Sequence, residues 1–542
     1  MPLYLGLDSS TQSLTATAIE VEGAMRSVLF SRSFPFDSLL PRYGTRHGVL
    51  PSLAPGVVHA PPLMWAEALD DVIGMLTREE NVDWSRLRAI SGSAQQHGSV
   101  YLTRSARDRL AHLDPHRPLA EQMRDVFARP TSPVWMDTST TAECRQIEQA
   151  LGGWRAVARL TGSRCYERFT AAQIRRFARE EPGGYARTDR VHLVSSWLAS
   201  LLAGQDAPID HGDGSGMNLM AIAELEWSRA AIQSTAEGLG PRLPPLAHPW
   251  HVVGVLSPFW IRRFHLPPAR VVVWSGDNPC SLVGTGLVAQ RSITVSLGTS
   301  DTIFGPIAGP RPSDDGTGHV FASTTGGYMG MTVFKNGSLA RERIRDRYGM
   351  DWPAFSRALQ STPPGNRGGI VLPWFEPEIT PAVLTPGIRR HGVDPAAAPS
   401  NIRGLVEGQM MAMALHSRWM GPPPDTIHAT GGASANRDIL QIMADVFDAT
   451  VLQLPSRNSA ALGAALRAYH GDLVAEGVPV RWPEVVRGFT EPLPERISPV
   501  PAHAEIYQTQ MRIYDQLERD ALGPGAVGRE SPGSGSLENG AQ

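Results

Sequence analysis

The sequence predicts an α/β protein with two structurally related domains. Its 542 residues exceed the roughly 100–200 residues of a typical single domain. Two strand–turn–strand units with Ser/Thr-rich turns begin at Leu3 and Ser292, about 290 residues apart. Between these units and after the second one, short apolar strands alternate with segments of helical spacing, which is typical of sheets covered by helices.

The first strand–turn–strand unit lies at the N-terminus. A buried strand is predicted over residues 3–7, a polar turn over 8–13 and an alternating strand over 14–20, which together form a hairpin. Ligands of α/β proteins gather at the loops beyond the strand ends. Asp8 and Thr11 are therefore candidates for binding, although a turn residue that caps its own backbone is the alternative interpretation of Asp8.

Another strand end follows a predicted helix over residues 63–76. Residues 87–90 form the strand, and we interpret residues 91–98, Ser-Gly-Ser-Ala-Gln-Gln-His-Gly, as the polar loop beyond it. Gln96 and His97 in this loop have side chains that donate and accept hydrogen bonds. Taken alone, His97 is interpreted as a structural histidine whose hydrogen bonds are satisfied within the fold.

A third strand end carries the candidate catalytic residue. After a Pro-rich stretch at residues 241–258, a Val-rich strand over 270–274 leads into Gly276, Asp277 and Asn278. The glycine lets the backbone turn tightly, which places the carboxylate of Asp277 on the floor of a cleft. A carboxylate beside a substrate hydroxyl acts as a general base, and the neighbouring Asn278 both donates and accepts hydrogen bonds.

The second half of the chain repeats this organisation. A hairpin is predicted over residues 292–304, and a strand over 427–430 leads into a glycine-rich loop and then a helix. Consecutive N–H groups in such turns bind phosphate oxygens, and loops without bulky side chains let the backbone approach a flat ring. The candidate residues of this half are Gly298, Thr299 and Ser300 in the hairpin turn, and Gly431, Gly432, Ala433 and Asn436 in the later loop.

Charge and cysteine content exclude several classes of function. The 50 Lys+Arg and 53 Asp+Glu residues give a net charge of −3, so neither nucleic acid nor a membrane surface is an expected partner. The chain has no apolar run of about 18 residues and no secretory signal, and its three cysteines have no CxxC spacing. We therefore expect a cytoplasmic protein without a disulfide framework or a thiolate metal site.

Lysine is nearly absent, which excludes two phosphate-binding motifs. Lys335 is the only lysine, and its neighbours Phe334 and Asn336 do not form the Gly-Lys-Ser/Thr of a P-loop. The lysine, His-Arg-Asp and Asp-Phe-Gly set of protein kinases is missing as well. A protein of this sequence that handles nucleotide phosphates must use another scaffold.

The four loops, taken in order, resemble those of the FGGY carbohydrate kinases in the actin-like ATPase superfamily. Four further segments are similar to the xylulose kinases of eukaryotic type within this family, and the resemblance covers most of the chain. These segments are Ser-Gly-Ser-Ala-Gln-Gln-His-Gly-Ser-Val at 91–100, Pro-Val-Trp-Met-Asp at 133–137, Thr-Gly-Ser-Arg-Cys-Tyr-Glu-Arg-Phe at 161–169 and Asp-Gly-Ser-Gly-Met-Asn at 213–218. Cys165 and Cys280 depart from the family pattern, in which we expect alanine at both positions.

The resemblance implies an α/β fold of two actin-like (ribonuclease H-like) ATPase domains that flank a central cleft. The sugar-binding domain would span residues 1–285, and the nucleotide-binding domain would span residues 286–522. Residues 523–542, rich in Gly and Ser, are predicted to form a disordered tail.

The same resemblance implies an ATP-dependent kinase that uses Mg²⁺ and phosphorylates D-xylulose. Asp277 would be the general base, and Asp8 would hold the metal, mostly through water. The sugar would contact His97, Arg168, Asp277 and Asn278, with Gln96 and Asp213 as further candidates in neighbouring loops. The nucleotide would contact Thr11, Gly298, Thr299, Ser300, Trp352, Gly431, Gly432, Ala433 and Asn436.

Two other functions remain open. The chain is alternatively a kinase of the same family for another ketose or polyol, since motifs do not encode the details of a pocket. It is alternatively a catalytically silent actin-like protein that binds nucleotide, although the presence of Asp277 argues against that function. Both a monomer and a homodimer are compatible with the sequence.

Overall fold

Two seven-stranded sheets form the centre of the fold in the computed structural model, which describes residues 1–79, 81–455 and 458–523. In chain order the described strands are β1 Leu3–Ser9, β2 Ser13–Glu22, β3 Met25–Pro35, β4 His59–Ala60, β5 Leu87–Ala94, β6 Ser99–Thr103, β7 Ser132–Pro133, β8 Thr188–Leu193, β9 Ile209–Asp210, β10 Met220–Ala221, β11 Glu226–Trp227, β12 Leu246–Ala247, β13 Val252–Val255, β14 Arg270–Val272, β15 Ser275–Gly276, β16 Ser292–Leu297, β17 Asp301–Ile307, β18 His319–Ala322, β19 Tyr328–Phe334, β20 Ile370–Leu372, β21 Arg389–His391, β22 Thr426–Thr430, β23 Thr450–Gln453 and β24 Arg496–Ile497. The described helices are α1 Phe36–Leu39, α2 Pro62–Leu76, α3 Ser105–Ala111, α4 Leu119–Met123, α5 Thr141–Ala150, α6 Trp154–Thr161, α7 Thr170–Glu180, α8 Pro182–Arg187, α9 Val194–Ala203, α10 His211–Gly214, α11 Arg229–Thr235, α12 Pro258–Phe264, α13 Asp277–Gly284, α14 Ser338–Arg347, α15 Trp352–Ser361, α16 Ala398–His416, α17 Arg437–Phe447, α18 Ser459–Ala475, α19 Trp482–Val486 and α20 Ala504–Leu522. All of the predicted tail except Gly523 lies outside the described residues.

The two large sheets pair their strands in the same pattern. The N-terminal sheet has the order β13-β14-β5-β1-β2-β3, with β15 also paired to β5, and the C-terminal sheet has the order β18-β19-β17-β16-β22-β23-β24. In each sheet an antiparallel meander (β1-β2-β3 or β16-β17-β19) continues into parallel strands (β1, β5 and β14, or β16, β22 and β23). The prediction of two structurally related α/β domains is confirmed.

Both predicted hairpins are present, but the loop predicted over residues 91–98 is partly strand. Strand β5 continues to Ala94, and only residues 95–98 leave the sheet. Side chains must be small in this strand, because a Cβ atom at Gly92 would lie 1.8 Å from the ring of Trp274. The loop prediction is wrong because serine and glycine, which usually indicate loops, here fit a crowded central strand.

The polar segment after residue 274 is also more regular than predicted. Ser275 and Gly276 form strand β15, which pairs in parallel with β5. Asp277 is the first residue of helix α13, so it lies at a helix N-terminus rather than in a loop. Its position is therefore determined by a strand on one side and a helix on the other.

Each large sheet has its own apolar core. The N-terminal core joins β1, β2 and β5 to helices α2 and α9 and includes the buried rings of Trp65, Trp197 and Trp274. The C-terminal core joins β16 and β22 to helices α16 and α17 and includes Leu405 and Met410. Burying one such side chain contributes about 1.5–3 kcal/mol, so both sheets are anchored independently of any ligand.

Among the helices that the structure describes, none is long and apolar enough to cross a membrane.

Helix α18 leaves the C-terminal half and packs on the N-terminal sheet. It contacts β1 and β5 and crosses helix α13. At the crossing, a Cβ atom at Gly284 would lie 1.8 Å from the carbonyl oxygen of Ser459, and one at Gly463 would lie 1.9 Å from that of Cys280. The two helices therefore touch backbone to backbone. The predicted domain boundary after residue 285 stays a prediction, and the segment beyond it contributes a helix to the first sheet.

Replacing Gly463 with alanine is expected to lower the free energy of unfolding by about 2–3 kcal/mol or more, because the added methyl group forces the two helices apart. Gly183→Ala in α8 is the matched control, since its nearest neighbour would be a side-chain atom of Arg187 at 3.8 Å. Urea unfolding followed by circular dichroism compares the two variants. Equal stability of both would contradict the close crossing of α13 and α18.

Candidate active site

Two carboxylates meet at the carboxyl-terminal ends of the central strands of the N-terminal sheet. Strands β1 and β15 both pair with β5, which aligns Asp8 with Ser93 and Gly276 with Ala94. The residue after β15 is Asp277, and its side chain lies close enough to Asp8 for the two negative charges to interact. The sheet thus brings together two residues for which the sequence predicts a metal-binding and a catalytic role.

Burial and mutual repulsion determine the charge of this pair. Burial, together with the charge of Asp8, raises the pKa of Asp277 to about 7. Burial also raises the pKa of Asp8. In the described part of the chain Oδ1 of Asp8 has no hydrogen-bond partner within 3.5 Å, and Oδ2 accepts a 3.4 Å hydrogen bond from Nδ2 of Asn458. The side chains of Ser93 and Asn458 both favour the charged form of Asp8. A carboxyl group with a pKa near neutrality is suited to accept a proton, and an unpartnered carboxylate oxygen is suited to bind a cation.

Asn278 and Gln96 hold Asp277 in place. Oδ1 of Asp277 accepts hydrogen bonds from the backbone N–H of Asn278 at 2.8 Å and from its Nδ2 at 3.0 Å. Nδ2 of Asn278 also donates to Oε1 of Gln96 at 2.7 Å. Gly276 permits this approach, because a Cβ atom there would lie 2.3 Å from Cγ of Gln96. Three of the predicted sugar-binding residues therefore form one hydrogen-bonded group.

A second pair of carboxylates, Asp210 and Asp213, lies next to Asp277. Both are buried, and Asp213 donates its backbone N–H to Oδ1 of Asp210 while its Oδ2 accepts the hydroxyl of Ser195. Burial raises the pKa of Asp213 well above its usual value, and the charges of Asp210 and Asp277 add to this effect. The positive charge of Arg467 of α18 opposes this increase in the pKa of Asp213. Nη2 of Arg467 also lies 3.6 Å from Oδ2 of Asp210. The guanidinium of Arg467 also donates to three backbone carbonyl groups, so it is fixed among the strand ends.

His97 presents a neutral imidazole beside this acidic group. Its backbone is in the left-handed region with φ 72°, and its ring stacks on Phe169 with centroids 4.3 Å apart. Nδ1 lies 2.7 Å from the carbonyl oxygen of Gly216, so Nδ1 carries the proton and Nε2 is an acceptor. Burial, with a smaller contribution from Arg168, lowers the pKa of His97 to about 3 and keeps the ring neutral. An imidazole with a fixed tautomer is suited to accept a hydrogen bond from a hydroxyl group.

Arg168 is a partly buried cation that forms no ion pair with a carboxylate of the described residues. Its guanidinium carbon lies 4.8 Å from the ring centroid of Tyr166 and 5.5 Å from that of Phe169. Nη2 donates a 3.3 Å hydrogen bond to Nε2 of His319. A guanidinium has five N–H donors, so this arrangement leaves donors for a polar ligand.

The turn between β1 and β2 is held by a loop from elsewhere in the N-terminal half. Nε1 of Trp135 donates to Oγ1 of Thr11 at 2.7 Å. The same loop is anchored by Asp137, which is fully buried and accepts hydrogen bonds from the backbone of Val58 and from Nε2 of Gln173. Trp135 therefore positions the predicted phosphate-binding threonine.

A buried ion pair holds the corresponding turn between β16 and β17. Asp301 follows Ser300 and forms a bidentate pair with Arg341, with both N–O distances 2.8 Å and both side chains at most 1% exposed. The backbone N–H of Ser338 donates to the carbonyl oxygen of Gly298 at 2.9 Å. The predicted phosphate turn at 298–300 is thus fixed at both ends, while its own side chains are partly or fully exposed.

The glycine-rich loop after β22 packs beside this turn. Gly431 has φ 87°, and a Cβ atom there would lie 2.5 Å from the carbonyl oxygen of Leu297, so only glycine fits the position. Gly432 and Ala433 begin the short 3₁₀ helix Gly432–Ala435, and open space surrounds Gly432. The two loops therefore present exposed backbone next to each other.

Asn436 connects this loop to the helix that begins at Trp352. Its Oδ1 accepts backbone hydrogen bonds at the start of α17, and its Nδ2 donates to Oγ of Ser356 in α15 at 2.8 Å. The side chain of Trp352 is 42% exposed, and the guanidinium carbon of Arg345 lies 4.5 Å from the centroid of its ring. Four predicted nucleotide-binding positions, Gly431, Gly432, Ala433 and Asn436, thus lie within one six-residue segment. Trp352 lies one turn of helix α15 from Ser356, which Asn436 contacts.

Sequence reasoning missed several residues that support this site. Asp301 is adjacent to the predicted turn, so its position in the sequence was an available signal. Arg467 and His319 carry no such signal, because each reaches the N-terminal loops from the C-terminal half, on α18 and on β18. Their contribution depends on long-range packing that no local pattern encodes.

A magnesium ion fits the acidic centre. Within residues 1–79, 81–455 and 458–523, no cluster of three or more His, Cys, Asp or Glu side chains could hold a metal by itself. Mg²⁺ takes one or two carboxylates and completes its octahedral shell with water and substrate phosphates. The unpartnered Oδ1 of Asp8, with Asp277 nearby, meets this requirement.

Comparison with known proteins identifies close relatives. The family models described as the N-terminal and C-terminal domains of the FGGY family of carbohydrate kinases match residues 131–284 and 293–471. The chain is 41% identical over 532 residues to the xylulose kinase of Mus musculus, covering 96% of this chain and 94% of that protein. It is 41% identical over 491 residues to xylulose kinase 2 of Arabidopsis thaliana, covering 86% and 87%.

Solved structures share the fold. The xylulose kinase from Rhodospirillum rubrum superposes with a TM-score of 0.79 at 19% identity, covering 97% of this chain and 99% of that one. The glycerol kinase from Plasmodium falciparum with ADP superposes with a TM-score of 0.73 at 15% identity, covering 95% and 98%. At this level of identity the match concerns the two-domain architecture.

Asp277→Asn is expected to stabilise the unliganded protein by up to about 4 kcal/mol at about pH 8, because it removes a charge that burial and Asp8 oppose. The folded-state pKa of about 7 lies above the usual 3.8, so the wild type loses stability as the pH rises from the lower to the higher value. The gain should therefore vanish near about pH 4. Urea unfolding at several pH values measures it.

Asp301→Asn is the matched control for this prediction. The same chemical change should destabilise the protein by about 3–5 kcal/mol, because it leaves Arg341 buried without its counter-ion. Destabilisation by Asp277→Asn across the whole pH range would contradict the repulsion between Asp8 and Asp277.

Proposed function

The chain belongs to the FGGY family of carbohydrate kinases, and we propose that it transfers the terminal phosphoryl group of ATP to the C5 hydroxyl of D-xylulose. One observation carries the mechanism: Asp277, with a pKa of about 7, lies beside Asp8, which has an unpartnered oxygen. Phosphoryl transfer to an alcohol needs a base for the proton and positive charge or N–H groups around the phosphates. The first requirement corresponds to Asp277 and the second to the surroundings of Asp8.

Asp277 acts as the general base in this mechanism. Its carboxylate accepts the proton of the C5 hydroxyl while that oxygen attacks the terminal phosphorus of ATP in line, and the bond from this phosphorus to the bridging oxygen breaks so that ADP leaves. Asn278 and Gln96 hold the carboxylate by hydrogen bonds, so its orientation does not depend on the substrate. A base of this kind contributes about 10²–10⁴-fold to the rate.

The sugar is oriented by groups of complementary hydrogen-bonding character. Arg168 only donates, Nε2 of neutral His97 only accepts, and Asn278 does both. A polyhydroxylated chain satisfies all three at once, which determines the hydroxyl that faces Asp277. Asp213 and Gln96 each retain a buried polar atom without a partner among the described residues, so they are further candidates for sugar contacts.

The nucleotide binds on the side of the C-terminal sheet. Backbone N–H groups of the turn at 298–300 and the hydroxyl of Thr11 contact phosphate oxygens, and the glycine-rich loop after β22 lies against the adenine with Trp352 on the same side. Mg²⁺ at Asp8 would supply positive charge to the phosphates, which this chain cannot provide through a P-loop lysine.

The choice of sugar rests on the relatives. Curated proteins at 41% identity over most of the chain are named xylulose kinases. The alternative within the class is another ketose or polyol, because few side-chain changes suffice to alter a sugar pocket. A silent nucleotide-binding protein is disfavoured, since it has no need for a base at Asp277 or for an unpartnered carboxylate at Asp8.

Location in the cytoplasm and a monomeric or homodimeric state remain expectations from the sequence. Cell fractionation would test the location. Light scattering of the purified protein would test the oligomeric state, and a mass above that of a dimer would contradict the expectation.

Asp277→Asn should lower kcat about 10²–10⁴-fold with little change in the KM for ATP, because it removes the base and leaves the nucleotide loops intact. The kcat/KM of the wild type for D-xylulose should rise with pH and level off above about 7, because this parameter reports the pKa of the unliganded enzyme and only the charged carboxylate accepts a proton. A coupled assay of ADP release measures the kinetic constants of the variant and the pH profile of the wild type. Asp314→Asn is the control, because that side chain is 93% exposed. Retention of more than about a tenth of wild-type turnover by Asp277→Asn would overturn the base assignment.

D-xylulose should have the highest kcat/KM in a panel with D-ribulose, L-ribulose and glycerol. A site that pairs particular hydroxyls leaves buried polar groups unpaired when an epimer binds, which lowers kcat/KM by orders of magnitude. An assay of ATP-dependent phosphorylation measures kcat/KM for each of the four compounds. A higher kcat/KM for any of the other three compounds would make the assignment of D-xylulose wrong, but the assignment as a kinase would stand. If none of the four is phosphorylated, the catalytically silent nucleotide-binding protein is favoured.

A further inference from the structure

Strand β18 belongs to the C-terminal sheet but lies against the sugar-site loops of the N-terminal half. The backbone N–H of Val320 donates to the carbonyl oxygen of Gly162 at 2.9 Å, and that of Ala322 donates to Oγ of Ser215 at 3.1 Å. Beyond the strand, Oγ1 of Thr324 donates to the carbonyl oxygen of Pro279 at 2.9 Å. The edge strand of one half therefore forms a wall next to the binding loops of the other.

The contact between this wall and the loops is tight and apolar. Tyr166 and Phe169 of the N-terminal half share a buried cluster with Phe321 and Met329 of the C-terminal half. A Cβ atom at Gly162 would lie 2.3 Å from the carbonyl oxygen of Val320, so β18 can pack against the loop only because residue 162 has no side chain. A side chain on β18 that points toward the loops is consequently held in a fixed position.

His319 is such a side chain. It is 1% exposed, and its ring stacks on Phe321 with centroids 5.7 Å apart and an interplanar angle of 9°. Its Nε2 lies 3.3 Å from Nη2 of Arg168, and its Nδ1 lies 3.1 Å from Oγ of Ser163. Because a guanidinium only donates, Nε2 must accept, and the proton of the neutral ring is on Nδ1 and points to Ser163. Burial and the charge of Arg168 hold the pKa of His319 well below its usual value, so the ring stays neutral.

Arg168 depends on this acceptor for its orientation. The flat faces of Tyr166 and Phe169 pack beside the guanidinium but do not determine which N–H group points where. In the residues that the structure describes, the hydrogen bond to His319 is the directional contact of the guanidinium. The ring faces limit the plane of the guanidinium, and within that plane one fixed N–H group determines the directions of the others.

We propose that His319 is a positioning residue for sugar recognition: it holds Arg168 so that the remaining N–H groups meet the hydroxyls of the substrate. This inference rests on the proposed function. Its consequence is that sugar affinity depends on a residue of the C-terminal half, although the sugar-binding residues predicted from the sequence all lie in the N-terminal half. Separation of β18 from the loops would release Arg168.

A matched pair of substitutions tests the proposal. In His319→Gln the side-chain amide reaches the position of Nε2, so an acceptor for Arg168 is kept. In His319→Asn the shorter side chain reaches only the position of Nδ1, so the hydrogen bond to Arg168 is lost. We expect His319→Asn to raise the KM for D-xylulose about tenfold, with kcat and the KM for ATP within about twofold of wild type. His319→Gln should stay within about threefold of the wild-type KM. A purely structural role would affect sugar and ATP alike and would not separate the two variants.

A double-mutant cycle with Arg168→Ala tests whether the two residues act together. Once Arg168 is absent, His319→Asn should raise the KM for D-xylulose by less than about twofold, because the effects of coupled residues do not add. Additive effects, or a sugar KM of His319→Asn equal to that of wild type, would overturn the proposal.

The same cycle measured by urea unfolding tests the contact without any sugar. Non-additive shifts of the unfolding midpoint are expected, because Asn at position 319 leaves the guanidinium without its acceptor. Additive shifts would also overturn the proposal. If the wild type phosphorylates another sugar of the panel instead of D-xylulose, the proposed substrate fails, and the variant series is assayed with that sugar. Failure of the substrate assignment and failure of the positioning role are thereby distinguished.

Discussion

Helix α18 meets the backbone of strand β1 directly at Gly6, and the acidic centre depends on that approach. A Cβ atom at Gly6 would lie 2.3 Å from the carbonyl oxygen of Ala461, so the helix can pack this close to the strand only if residue 6 is glycine. The capping residue of α18, Asn458, then donates a hydrogen bond to Asp8, and Arg467 farther along lies near Asp210. One helix thus brings an amide and a cation to a group of carboxylates that would otherwise repel each other without compensation.

The two sheets share a topology but differ in whether the carboxylate near the hairpin turn is paired with a cation. In the N-terminal sheet Asp8 retains an unpartnered oxygen. In the C-terminal sheet Asp301 is neutralised by a fully buried arginine, Arg341, whose other hydrogen bonds join it to Ser338 and Gln409. The first arrangement leaves charge for a ligand, whereas the second uses charge to fix a turn whose backbone faces outward. The duplicated framework therefore supports two different tasks.

Local patterns were sufficient to predict much of the fold and part of the site. The hairpins, helix α2 and strand β22 follow from periodicity and turn composition, which act over a few residues. Asp277, Asn278 and Gln96 were predicted as residues of the candidate site because each lies at a strand end with polar neighbours. The continuation of β5 to Ala94 was missed, since its small residues reflect the ring of Trp274 on a distant segment. His319 was missed for a similar reason, because 151 residues separate it from Arg168.

The position of α18 also has a consequence for the time at which the protein folds. The buried cluster on one face of the N-terminal sheet combines Tyr4, Ile19 and Val272 with Leu466 and Tyr469 of this helix. At a synthesis rate of about 5–20 residues per second, the ribosome adds the helix roughly 20–70 s after strand β5. During this interval α18 is not yet available to cover this face of the nascent sheet. The sheet that is synthesised first is therefore completed only after most of the chain has been made.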